Sequence, residues 1–159
     1  MSNTHPLRGL QLQSLIRPEG ELELALVQVD TPEPGPNEIV LRIEAAPINP
    51  SDIGLLFGAA DLATAKGVLI DGHPALRVAV PERGMRAMAP RVGMAIPCGN
   101  EGAGTVVRAG SSPEAQALLG RTVAGIGGGG MYAQYRCLRL DQCLPLPAGA
   151  TAEQGASCF

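Results

Sequence analysis

Residues 125–140 read GIGGGGMYAQYRCLRL, and the reading of that stretch decides the fold. Its first six residues satisfy G-x-G-x-x-G. That pattern marks a dinucleotide-binding loop when a strand enters it, a helix leaves it and an acid follows ~20 residues on. The entering strand is present, as Arg121-Thr122-Val123-Ala124. The exit is not a helix. From Tyr132 to Leu140 the chain alternates, with Tyr132, Gln134 and Arg136 on one side and Ala133, Tyr135 and Cys137 on the other. That is the period of a strand. Without a helix N-terminus there is no row of free amides for a pyrophosphate. The glycines read as a tight β-turn or a close backbone approach. Any cofactor this protein uses is expected to bind mainly outside this chain.

Strands extend in both directions from this turn. Gly104 to Ala109 is one, and Leu144 to Pro147 is an extended exit. Ser112-Pro113-Glu114 starts a short helix, with Ser as N-cap and Pro at the first helical position, and Gly120 ends it. Glu38 to Ala46, EIVLRIEAA, sets Ile39, Leu41 and Ile43 against Glu38, Arg42 and Glu44, a half-buried antiparallel strand. Leu10–Ile16 and Leu22–Val29 flank Pro18-Glu19-Gly20 and read as a hairpin. After Pro47, Ser51 or Asp52 is expected to cap a short helix through Phe57, ended by Gly58. Residues 59–97 are the least legible. They offer a weak helical stretch at Ala60–Lys66, a turn at Asp71-Gly72 and a strand-like Leu76–Val80. Thr151 and Gln154 form a capping box. A helix announced so close to Phe159 suggests that more protein follows it.

The fold class expected is mainly β with short helices (α+β), with residues 1–159 as one domain. The composition agrees. Hydrophobic residues make up 45% of 159, which argues against disorder, and 21 Gly with 14 Pro suit short strands and many turns. Aromatics are only 3%, so the core rests on Leu, Val, Ile and Ala. Net charge is −3 with no Lys/Arg cluster, which speaks against nucleic acid and anionic membrane as partners. The N-terminus has no apolar signal region, and no apolar run approaches the ~18 residues of a membrane span. Cys98, Cys137, Cys143 and Cys158 form no C-x-x-C, and His5 and His73 lie at no zinc spacing from them. They read as free thiols in a reducing cytoplasm. The absence of G-x-S-x-G disfavours a serine hydrolase.

Three stretches remain to be explained: AAPINPSD at 45–52, GNEGAGTVV at 99–107, and GRTV at 120–123 running into GMYAQY at 130–135. In that order they resemble the GroES-like catalytic domain of the medium-chain dehydrogenase/reductase superfamily, and its zinc-less quinone oxidoreductase and enoyl reductase branches most of all. PGPNEIVLRIEAAPINPSD is similar too. The likeness runs over nearly the whole chain, weakest at 59–97. It implies a partly open GroES-like β-barrel.

The resemblance also implies a chemistry. Zinc-dependent members carry a Cys ligand at the position of Asn49 and a His ligand at that of Asn100. Ser51 matches a hydroxyl that relays the substrate proton. Amide oxygens are poor zinc ligands beside thiolate and imidazole, so no catalytic metal is expected. What remains is hydride transfer from NADPH or NADH to a quinone, enone or related acceptor. Asn49 and Ser51 would be catalytic, Asn49 would also touch the cofactor, and Asn100 and Glu101 would line the substrate pocket. Glu101 also reads as structural, and Asn100 as a turn-closing amide. Asp52 is expected to hold its loop through the backbone, and Tyr132 and Tyr135 to pack in a strand. Enoyl reductases place a catalytic Tyr soon after the first motif; Phe57-Gly58-Ala59-Ala60-Asp61 has none. The partners implied are a small-molecule acceptor and a nucleotide-binding Rossmann domain absent from this chain. A stand-alone GroES-like module that binds a partner and catalyses nothing is the other reading.

Overall fold

The structure is a computed structural model that describes residues 6–159; His5 and the first residues of the N-terminus lie outside it. Among the described residues, ten strands form two five-stranded sheets. The first sheet holds β1 (Leu7–Arg17), β2 (Glu21–Thr31), β4 (Lys66–Ile70), β5 (His73–Ala79) and β6 (Ala95–Pro97), in the order β4-β5-β2-β1-β6. The second holds β3 (Glu38–Ala45), β7 (Glu101–Ala109), β8 (Thr122–Ile126), β9 (Tyr135–Arg139) and β10 (Cys143–Pro145), in the order β10-β8-β7-β3-β9. Every strand pair is antiparallel.

The sheets join where β1 meets the segment before β9. Leu12 N–H donates to Tyr132 O at 2.8 Å, and Gln134 N–H donates to Leu10 O at 2.9 Å. The result is a partly open barrel, mainly β with short helices. Ile16, Leu22 and Val78 fill one core cluster, Ile39, Leu41, Val106, Val123 and Leu138 a second, and Ala103, Ala124, Leu146 and Ala152 a smaller third. Burying each such side chain contributes about 1.5–3 kcal/mol.

Most expected elements are present, with longer strands at 7–17 and 101–109. GIGGGG leads into β9, not a helix. Gly128, Gly129 and Gly130 turn the chain with φ of 60°, 114° and 86°, conformations only glycine takes at low cost.

Three expectations need correction. The N-cap of α1 (Pro50–Leu56) is Asn49, not Ser51 or Asp52, because Pro50 is already helical. The helical stretch at Ala60–Lys66 shrinks to a single 3₁₀ turn, Leu62–Thr64, since Lys66 has joined β4. Strand β9 starts at Tyr135, which leaves Tyr132 in the turn before it. Residues 59–97 also build β4, β6 and α2 (Glu82–Ala87), which the sequence did not reveal. The remaining helices are α3 (Pro113–Gln116) and α4 (Ala152–Gly155), both capped as expected.

Candidate functional site

Asn49 leaves β3 in an extended conformation and opens α1, which sets its side chain at the start of the helix and Ser51 two residues on. Asp52 reaches back from the third helical position, and its Oδ2 accepts the Asn49 backbone N–H at 2.9 Å. The second motif is strapped to the glycine turn. Gly127 N–H donates to Asn100 O, Met131 N–H to Gly99 O and Tyr132 N–H to Cys98 O, at 2.8, 3.0 and 3.0 Å. The GIGGGG loop therefore braces residues 98–100 against the site.

The two motifs are cross-linked by their side chains. Asn49 Nδ2 donates to Glu101 Oε1 at 2.7 Å, and Asn100 Nδ2 donates to Asp52 Oδ1 at 2.9 Å. Both carboxylates are buried, Asp52 at 1% and Glu101 at 5% exposure. Buried carboxylates need donors, and these two have them. Glu101 Oε2 takes the Phe159 N–H at 2.9 Å. Asp52 Oδ2 takes the Tyr132 hydroxyl at 2.9 Å, while that oxygen also lies 2.8 Å from Pro47 O. Tyr132 is thus no simple packing residue: it ties the glycine turn to both ends of the Pro47–Asp52 loop. Burial first, then the Asp52 carboxylate, raises its phenol well above the ordinary range. It stays a protonated donor across neutral pH.

This geometry fixes the Asn49 carboxamide. Turned over, its Oδ1 would face a carboxylate oxygen and repel it, so Nδ2 must face Glu101. One amide hydrogen is spent there; the other has no partner in the network. Ser51 is exposed at the same end of α1. Ile48 and Ile53 stand beside them, 71% and 46% exposed. The site presents two hydrogen-bonding side chains on an apolar rim.

The donor set does not suit zinc. The two asparagines occupy the positions of the resemblance's ligands, and each turns its amide nitrogen to a carboxylate. Among the described residues, no group of three His, Cys, Asp or Glu side chains is placed to hold a metal ion. Among them, too, no helix is long and apolar enough to cross a membrane.

Sequence reasoning named Asn49, Asn100 and Glu101 as candidates but not the contacts among them, nor Asp52 as their hub. Asp52 does hold its loop through the backbone, as expected, and also binds Asn100 and Tyr132. The three-residue spacing from Asn49 to Asp52 was a usable signal for the first contact. Nothing local announced the others.

A profile of the alcohol dehydrogenase GroES-like domain family matches residues 35–148, well over half of the chain. The chain belongs to this family. Among curated proteins, none matches it. Solved structures share the fold. The quinone oxidoreductase of Coxiella burnetii is 22% identical with a TM-score of 0.61, over 95% of this chain and 41% of that one. The Escherichia coli quinone oxidoreductase, solved with NADPH, is 21% identical with a TM-score of 0.59, over 96% and 37%. The CurK enoyl reductase is 14% identical with a TM-score of 0.60, over 93% and 38%. This GroES-like chain spans about two-fifths of the length of those proteins.

Proposed function

We propose that this GroES-like domain is the catalytic half of a zinc-independent, NAD(P)H-dependent oxidoreductase acting on a quinone, enone or related carbonyl. Its other half would be a nucleotide-binding domain outside this chain. The observation that carries this reading is the Asn49–Glu101 bond. It puts an oriented amide, rather than a metal ligand, at the head of α1.

When bound, the nicotinamide supplies the hydride. Asn49 and Ser51 donate to the acceptor oxygen as it gains charge, which is worth most in a site whose donors are already oriented. Asn49 would also border the nicotinamide. Asn100 and Glu101 act from behind: each is committed to the cross-links that hold the two motifs at a fixed spacing. The GIGGGG loop offers no helix N-terminus for a pyrophosphate, so the chain is expected to need the second domain to bind the cofactor. The exposed Ile48, Ile53 and Phe159 around the site fit an apolar acceptor or that domain. A cytoplasmic setting fits the four free thiols.

Titration calorimetry with NADPH tests this, on residues 1–159 and on a protein extended along the downstream reading frame. Binding, and reduction of a simple quinone, by the extended protein alone is the expected result. Micromolar binding by residues 1–159 would assign the cofactor to this domain and overturn the reading. So would an extended protein that binds no nucleotide, which would favour a binding module without catalysis.

A further inference from the structure

Among the described residues, the large apolar side chain most open to solvent is Leu69, 74% exposed. It stands on β4, an outermost strand of the first sheet. Strand β4 pairs with β5 through the two-residue turn Asp71-Gly72, whose φ values of 50° and 79° suit a tight hairpin. Ala79 shows which way the β5 backbone faces. Its N–H donates to Thr64 Oγ1 at 2.9 Å and its C=O accepts the Asp61 N–H at 2.8 Å, both from the segment that runs into β4. Backbone direction alternates along a strand, so Arg77, Ala75 and His73 also face β4, where Lys66, Val68 and Ile70 answer them. The backbone groups of Gly67 and Leu69 therefore point outward. Among the described residues, nothing bonds the N–H or C=O of either.

Proteins ordinarily guard such an edge with a proline, charges, a bulge or a very short strand. Strands β6 and β10 have three residues each and end in Pro97 and Pro145, and β9 carries Arg136 and Arg139. Strand β4 has one charge, Lys66 at its first residue, with no proline and no shift of register against β5. It is an unguarded edge with an exposed leucine on it.

We propose that β4 pairs with β4 of a second copy of this chain, antiparallel about a twofold axis at Val68. Bonded and non-bonded pairs alternate along an antiparallel ladder, so a twofold axis must pass between two identical residues. Val68 turns its backbone to β5 and forms the non-bonded pair on the axis. On each side of it, Gly67 exchanges both bonds with Leu69 of the second copy, and every outward group is satisfied. Centred on Leu69 instead, Gly67 would face Asp71, which the turn bends out of line. The side chains fit the same register. A Cβ on Gly67 would meet nothing within 4 Å, so each Leu69 has open room over the glycine opposite it. Lys66 falls opposite Ile70 and beside Asp71 of the second copy, which sets opposite charges together at both ends of the pair. A foreign strand would have to match this order of glycine, leucine and charge; a second copy matches it by symmetry. Strand β4 has only five residues, far short of the ~1,600 Å² of a standard interface, so the dimer is weak, with a Kd on the order of 100 µM.

The test is sedimentation velocity of the whole chain from about 10 µM to about 1 mM, with amide hydrogen exchange read by NMR at both ends of that range. The expected result is a monomer that becomes a dimer as concentration rises. The Gly67 and Leu69 amides should exchange about fourfold more slowly at the upper end, in step with the loss of free monomer. Leu69→Lys, a charge at an already exposed position, should abolish both effects. A chain that stays monomeric at the highest concentration overturns the proposal. So does a dimer that Leu69→Lys leaves intact, or one in which the Gly67 and Leu69 amides exchange as freely as in the monomer, because it is built on another face. A monomer whose Gly67 and Leu69 amides slow on addition of a β-prone peptide of unrelated sequence assigns the edge to a foreign strand, and overturns self-pairing too.

Discussion

Asn49 and Glu101 are joined side chain to side chain, Nδ2 to Oε1, at 2.7 Å. Glu101 sits at the first residue of β7 and Asn49 at the N-cap of α1, so the bond sets where the helix starts relative to the sheet. In Glu101→Leu the Asn49 amide and the Phe159 N–H lose their acceptor together. The expected loss is about 1.5–3 kcal/mol, the range for a hydrogen bond to a charged group. Urea denaturation measures it. A change below about 0.5 kcal/mol, the ordinary range of surface substitutions, would mean that the bond does not hold the motifs.

Asp52 and Tyr132 should not cost the same. The Asp52 carboxylate accepts from the Asn49 backbone, the Asn100 amide and the Tyr132 hydroxyl. Asp52→Asn keeps one acceptor oxygen and points an NH₂ at the remaining donors, for a loss of about 2–3 kcal/mol. Tyr132→Phe removes one hydroxyl from a site that keeps its other donors, at about 1 kcal/mol. Parallel denaturation curves should rank Asp52→Asn well above Tyr132→Phe; the reverse order would remove Asp52 from the centre of the network.

Gly104 and Gly67 are both strand glycines, with opposite expectations. A Cβ on Gly104 would fall 1.9 Å from Arg42 O, inside the β3–β7 pairing, whereas one on Gly67 meets nothing within 4 Å. Gly104→Ala must push the two strands apart and is expected to cost over about 3 kcal/mol or to prevent folding. Gly67→Ala, by restricting the unfolded chain, is expected to be neutral or to stabilise by up to about 1 kcal/mol. Thermal melts of the pair decide it.

The thiols give the chain an alkaline limit. Burial pushes Cys98 and Cys137 up to about 11 and Cys143 up to about 12, with the Glu38 carboxylate adding at Cys137 and Asp141 at Cys143. An unfolded thiol ionises near ~8.5, so above that pH the native state holds more protons than the unfolded one. This stabilisation is complete below about pH 8.5 and is lost as pH rises towards 11–12. The melting temperature should stay level from pH 7 to 8 and fall from 9 to 11. Replacing Cys98, Cys137 and Cys143 together by Ala or Ser should flatten that fall. At pH 8, iodoacetamide should label exposed Cys158 first and reach the fully buried Cys98 only on unfolding. Mass spectrometry after brief labelling reads the order.

Local pattern carried much of the architecture. The alternation of Ile39, Leu41 and Ile43 announced β3, and Ser112-Pro113 and Thr151 with Gln154 announced their helices, because each signal lies within a few residues of what it specifies. Alternation reached its limit at Val40, which is fully buried as well; the β3–β7 register shifts between Val40 and Leu41. In residues 59–97 the pattern failed. Strand β4 is a short edge strand with Leu69 exposed, and β6 has three residues, so neither carries a full period.

The sequence by itself determined that the glycine turn leads into a strand, that the chain is mainly β, and that asparagines stand where the resemblance would have metal ligands. These follow from side-chain period and residue identity alone. Only the tertiary structure decided what those asparagines do. Asn49 meets Glu101, Asn100 meets Asp52, and Tyr132 closes on Asp52 across 52, 48 and 80 residues of chain. No local preference encodes a contact at that separation. It exists because β3, β7 and the glycine turn come together in the fold, which buries two carboxylates within reach of these donors.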